Sequence, residues 1–274
     1  PSRAIDVKFC SNKDFRNVIM MSRALKTLAL GAALAAWPTL AARAANFGDL
    51  YTAGHADIAV DYDATDGLSF FYEMSSTAVI NGAQVGGAGS SPDPSTISVI
   101  VPESVLTTGD SRLPSPFAGN PLYLLLQTSQ GAGSRPFLGF GAEEIAGGTF
   151  ANDTLSYALT GFSASTGGQF VLYSNGNWGS PEMNTADGLS ASDSIAIFAG
   201  GHDHYNLGFT AAGIYDLTLT ASGNLVGGGT VETSSVFRFV VGDQPAAVPE
   251  PSALAMAGLA AGCGAFAAAR RRRA

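Results

Sequence analysis

The chain holds three histidines in 274 residues, and they fall in two places. His55 lies in Gly54-His55-Ala56-Asp57, and His202 and His204 lie in Gly201-His202-Asp203-His204. Neutral imidazole is a good ligand for first-row divalent ions, and a neighbouring carboxylate supplies negative charge to balance the ion. Alternate residues of a strand share a face, so the spacing puts His55 beside Asp57 and His202 beside His204. If the strands carrying these pairs lie side by side, three imidazoles and one carboxylate converge, a set suited to zinc or another divalent transition metal. His-x-His alone is a weak motif. The bland alternative is a polar pair at a strand start that caps backbone groups or faces solvent, with its aspartates as turn formers.

Strands must position these pairs, and residues 46 to 243 read as strands almost throughout. Period-two runs rich in β-branched and aromatic residues recur between clusters of Gly, Ser, Asn and Asp. The predicted strands are His55–Tyr62, Leu68–Met74, Thr96–Val101, Leu122–Gln127, Thr154–Thr160, Gln169–Tyr173, Ser194–Phe198, Ile214–Ala221 and Val231–Val241. Asp66-Gly67 marks a hairpin, because glycine accepts the positive φ of a tight turn. Asn81–Pro94 and Gly109–Pro121 read as irregular loops. In the last hairpin Tyr215, Leu217 and Leu219 alternate with Ile214, Asp216, Thr218 and Thr220, which predicts a sheet apolar on one face. Gly213-x-Tyr215 resembles the tyrosine corner of immunoglobulin-like sandwiches, whose hydroxyl ties back to nearby backbone. The expected fold is all-β, one or two immunoglobulin-like β-sandwiches over 45–243, flanked by an N-terminal signal helix and a C-terminal transmembrane sorting helix.

Other motifs offer less chemistry. Asp61, Asp63 and Asp66 before Gly67 echo a calcium loop, but the spacing is off and Tyr72 stands where the closing glutamate belongs, so a hairpin turn is the better reading. The glycine-rich stretch Asn81–Ser91 lacks the Gly-Lys-Ser/Thr of a phosphate loop. Gly188–Ser192 is not a nucleophile elbow, and no His-Glu-x-x-His helix is present. A non-enzymatic protein is therefore expected. An exported metal-dependent hydrolase with Glu73 or Asp203 as base is one alternative, and a structural or adhesive matrix module without metal is another.

The charge distribution limits partners. Of 14 Lys and Arg, seven lie at or before Arg43 and four are Arg270, Arg271, Arg272 and Arg273, leaving only Arg112, Arg135 and Arg238 between. Residues 45–247 carry 19 acids against 3 bases, net −16, which excludes nucleic acid as a natural partner. Cys10 and Cys263 both fall outside this span, so no disulfide staples it.

The two ends carry addresses. From Met21, a basic start at Arg23 and Lys26, an apolar run and the small-x-small site Ala42-Arg43-Ala44 read as a secretory signal peptide over 21–44, processed by signal peptidase. Residues 1–20 precede that start and are read as an upstream extension outside the native chain. At the other end, 252–269 is an uncharged run near the lower length limit for a membrane span, and the following arginines favour the cytoplasmic side. Pro249-Glu250-Pro251, an Ala/Gly-rich span and Arg270–Arg273 together resemble the PEP-CTERM sorting signal over 244–274. That resemblance implies an exosortase as processing partner, a transient stay in the inner membrane, and delivery to the cell surface or extracellular matrix.

A second resemblance covers nearly all of 50–243. Gly-His-x-His-x-Asn-x-x-Phe-Thr at 201–210, Gly-x-Tyr at 213–215 and Gly-His-x-Asp at 54–57 are similar to the surface-anchored repeat domain and the larger choice-of-anchor M domain. The resemblance implies metal handling, with His55, Asp57, His202 and His204 as this chain's version of the family's polar signature. Leu207 stands where that family has tryptophan. Extracellular polysaccharide or surface proteins are the partners such a module would meet.

Overall fold

Burial in alternation builds the sheets. Along Gly213–Asn224 every second residue from Gly213 to Gly223 is buried, Tyr215, Leu217, Leu219 and Ala221 among them, while the residues between face outward. A computed structural model describes residues 45–243. The upstream segment 1–20, the signal peptide with Ala42 and Ala44, and the tail with its 252–269 span lie outside the described residues. Among the described residues no helix is long and apolar enough to cross a membrane.

The described chain is all-β, with sixteen strands joined by turns and four short 3₁₀ segments. They are β1 (Asp49–Asp63), β2 (Gly67–Met74), β3 (Val79–Ile80), β4 (Ala83–Gln84), β5 (Ile97–Val101), β6 (Leu106–Thr108), β7 (Pro121–Leu125) and β8 (Pro136–Gly141), followed by β9 (Thr154–Ala164), β10 (Phe170–Tyr173), β11 (Met183–Asn184), β12 (Ser194–Phe198), β13 (His202–His204), β14 (Asn206–Phe209), β15 (Gly213–Asn224) and β16 (Thr230–Val241). Each of the nine expected strands corresponds to one of these. The strands not anticipated are short, except β8, where Pro136, Gly139 and Gly141 interrupt the β-former pattern.

Eleven strands form one sheet, running β12-β9-β15-β16-β5-β1-β3-β4, with β2 and β8 flanking the far half of β1 and β13 pairing β8. The other sheet is β11-β10-β14-β7-β6. The pairings β1·β5, β1·β8 and β16·β5 are parallel, a departure from the wholly antiparallel sheets of an immunoglobulin sandwich. Parallel neighbours need long crossovers rather than hairpins, so no local turn announces them. The sheets meet through Phe209 of β14, whose ring centroid lies 5.0 Å from that of Tyr215 and 5.2 Å from that of Phe239. A smaller apolar cluster, with Leu113 and Phe117 over Leu122, Val171 and Tyr173, shows that the 109–121 loop packs as a cover rather than hanging free.

β1 serves both halves of the large sheet. Before Gly54 it pairs with β3 and β5, and after it with β2 and β8. Gly54 has φ +88°, and a Cβ there would stand 2.1 Å from the Thr77 carbonyl oxygen, so glycine alone allows the strand to turn from one set of partners to the other. His55 therefore sits within a long strand, not at the start of one as the sequence reading placed it.

The tyrosine corner is present in its hydrogen bonding. The Tyr215 hydroxyl donates to the Ala211 carbonyl at 2.8 Å and accepts from the Ala211 amide at 3.2 Å. Tyr215→Phe leaves both groups short of a partner and should lower the unfolding free energy by about 1–2 kcal/mol, read by urea denaturation; an unchanged midpoint would deny the corner any structural weight.

Candidate metal centre

The site is built from register. Three pairings align β2, β1, β8 and β13 side by side, with Asp57 opposite Glu73 on one side and Gly139 on the other, and His204 opposite Gly139. One row across four strands thus reads Glu73, Asp57, Gly139, His204. The neighbouring rows place His55 opposite Phe137, and His202 opposite Gly141. By the two-residue alternation these side chains rise from one face. The strands bearing the histidine pairs are not adjacent, as the sequence reading supposed, because β8 runs between them. They still converge, since β8 offers glycine where the Asp57 and His204 side chains reach toward each other.

Gly139 is the hollow that permits this. A Cβ there would lie 2.1 Å from Asp57 Oδ1 and 2.8 Å from His204 Cε1, whereas one at Gly141 would meet nothing nearer than 3.4 Å. Phe137 supplies a wall, stacking on His204 with centroids 4.0 Å apart and planes at 4°.

Within the hollow, His55 Nε2 lies 3.3 Å from His204 Nε2 and 3.4 Å from Asp57 Oδ2. His204 Nε2 lies 3.9 Å from Asp57 Oδ1. His55, His202 and His204 each offer a ring nitrogen within 4.8 Å of the others. Two nitrogens bound tetrahedrally to zinc at its usual bond length stand about 3.3 Å apart, so the spacing of the His55 and His204 nitrogens could hold such an ion without rearrangement. Glu143 Oε1 lies 2.8 Å from His202 Nδ1. A carboxylate on one ring nitrogen fixes the tautomer and leaves the other, here Nε2, as the donor atom.

The structure therefore brings His55, His202 and His204 to one spot and sets Asp57 against His55 and His204. Glu73, considered from sequence only as a catalytic base, belongs to the same cluster. Asp203, the other candidate base, lies exposed on the opposite face of β13. Sequence reasoning missed Glu143, Phe137 and Gly139; the alternation of glycines in Phe137-Leu138-Gly139-Phe140-Gly141 was the available trace of a strand whose face is covered by its neighbours' side chains. Asn206, from the same motif as the histidines, is structural. Buried, it accepts from the Gln127 amide at 3.0 Å and donates to the Tyr173 carbonyl at 3.2 Å, joining β7's end to β10.

Asp57 is 1% exposed, and its Oδ1 has no hydrogen-bond partner. The electrostatics follow from that carboxylate. Its proximity raises the His55 pKa above the ordinary histidine value, against the opposing effect of burial. Burial dominates at His204 and lowers its pKa, which keeps that imidazole neutral and able to accept a cation at neutral pH. Glu73 is raised, first by burial and then by Glu143 and Asp57.

Residues 247–273 match the PEP-CTERM protein-sorting motif. That match marks an exported chain, sorted by an exosortase-type system toward the cell surface, and it lies wholly outside the β-domain. No curated protein and no solved structure matches the chain.

Two expected outcomes follow. In the metal-stripped chain, imidazole NMR should show His55 taking up its proton at higher pH than His204; the reverse order would contradict the Asp57 pairing. Gly139→Ala should cost about 1–3 kcal/mol of stability by overpacking the hollow, with Gly141→Ala costing little by comparison, both read by chemical denaturation.

Proposed function

We propose that this is a non-enzymatic cell-surface or extracellular-matrix protein whose β-domain binds a divalent transition metal, zinc-like in its preferences, through His55, Asp57, His202 and His204. Signal peptidase and the exosortase act on the chain during export, and extracellular polysaccharide or surface proteins are its proposed partners once there. The observation that carries the metal reading is the convergence over Gly139 of three imidazoles and a buried carboxylate whose Oδ1 has no hydrogen-bond partner.

Its chemistry supports the choice of ion. Imidazole nitrogens with one carboxylate favour zinc and its neighbours over magnesium or calcium, which take oxygen ligands. The resemblance of 201–215 and 54–57 to the surface-anchored repeat and choice-of-anchor M domains points the same way. A domain without cysteine, carrying 19 acids against 3 bases, also gains from a bound cation that joins β1 to β13.

Elemental analysis of the full chain after dialysis against micromolar zinc should find stoichiometric metal, lost in His204→Ala. The melting temperature should rise with free zinc, by an amount equivalent to about 2.7 kcal/mol at a hundredfold excess over Kd. A chain that melts identically with zinc and with chelator, and carries no metal, would leave the structural or adhesive reading in its place.

A further inference from the structure

We propose that the acidic half of this cluster is a second cation site, so that Asp57 lies between two ions, one on the histidines and one held by Asp57, Glu73 and Glu143. This rests on the metal reading above and extends it to a hard, oxygen-loving ion such as manganese or calcium.

The geometry comes first. Asp57, Glu73 and Glu143 each offer a carboxylate oxygen within 4.8 Å of the others. Oxygens bound to one calcium or manganese ion stand about 3–5 Å apart, so the three fit a single ion. Strand pairing and a tight turn fix all three. Asp57 and Glu73 face each other across β1 and β2, and Glu143 follows β8 in a turn closed by the Ile145 amide on the Ala142 carbonyl at 3.1 Å.

Charge makes the arrangement costly without a cation. Like charges directly opposite on paired strands destabilise the pair, and here one of them is almost wholly buried. Besides Asp57 Oδ1, Glu73 Oε2 is also buried without a hydrogen-bond partner. The described residues contain no lysine, and their three arginines are engaged elsewhere: Arg112 with Asp110, Arg238 with Asp216, and Arg135 with the Gln130 carbonyl. One divalent ion on the histidines leaves three carboxylates against two positive charges, and a second ion removes the deficit.

Ligand type separates the two places. Three imidazoles select zinc-like ions, whereas three carboxylates select hard ions that complete their coordination with water. A pocket of about 210 Å³ opens over the cluster, lined by His55 and Asp57 together with Glu73, Ser90, Glu143 and Glu144, and gives such waters room. Paired ions about 3.5–4 Å apart sharing a carboxylate are a familiar arrangement.

The test is a metal count on the full chain, stripped with chelator, loaded with one equivalent of zinc and then titrated with manganese, read by native mass spectrometry and elemental analysis. The expected result is one zinc plus one manganese per chain. Glu73→Gln, which removes charge without changing volume, should weaken manganese binding about tenfold or more while zinc stays bound. Manganese that displaces the zinc instead of adding to it overturns the two-site reading. Saturation at one ion overturns the second site and leaves the histidine site standing. Two ions unaffected by Glu73→Gln overturn it as well, since the second then sits elsewhere. No ion at all removes both readings. If Glu73→Gln does not fold, Glu143→Gln, at a partly exposed position in the turn, takes its place with the same expected loss of manganese.

Discussion

The structure around the site answers to one constraint: a carboxylate, Asp57, is 1% exposed with no lysine or arginine beside it. Burying a charge costs several kcal/mol unless something of opposite sign or a set of hydrogen bonds compensates. The neighbours that could do so are imidazoles, and His55 shows the consequence, its proton held more tightly because Asp57 is near. His204, equally close to the same hollow, moves the other way because burial outweighs the attraction. One histidine inclined to carry charge and one inclined to lose it stand with their Nε2 atoms 3.3 Å apart. On the proposed reading a metal ion would take the place of any proton between them and satisfy both rings.

Backbone makes the hollow possible. The groups stand on strands rather than on loops, so their positions are set by sheet register and by packing beneath, the condition under which a site holds its geometry. Gly54 turns β1 so that its second half meets β8, and Gly139 clears the space over β8 so that side chains from the strands on either side can touch. Glycine weakens a strand interior by removing a side chain to pack. At Gly139 the missing side chain is replaced by Asp57 and His204 themselves, which explains a glycine where strand propensity argues against one.

That substitution also explains what was legible in the sequence. Alternation identified the long strands, because a sheet with one buried face writes a period of two, and the Tyr215, Leu217, Leu219 side of β15 is buried as read. The pairing of His55 with Asp57 and of His202 with His204 followed from the same rule. Hidden from it was β8, whose Pro136, Gly139 and Gly141 read as breakers. Parallel pairing of β1 with β8 was hidden too, since β-strands joined by a long crossover leave no turn motif between them. Glu143 comes from a turn, where periodicity says nothing, and Glu73 enters only through its register opposite Asp57. Face assignments were therefore readable, and neighbour assignments were not.

The long separation of the ligands has a consequence for an exported chain. His55 and Asp57 stand on β1, His202 and His204 on β13, and the strand between them is assembled from residues 136–141. The two pairs are not near each other until the sheet has formed, so the unfolded chain offers an ion at most one local pair at a time. On the proposed reading, ion binding and folding are then one event, with ligand deprotonation and strand assembly coupled. The PEP-CTERM motif sends this chain out of the compartment where it is made. On that reading the metal taken is set by what is available where the sheet closes, and the imidazole-rich side need only prefer zinc-like ions over hard ones. If the acidic row beside it is a second site as proposed, hard ions have a place of their own, and one hollow uses both kinds without either displacing the other.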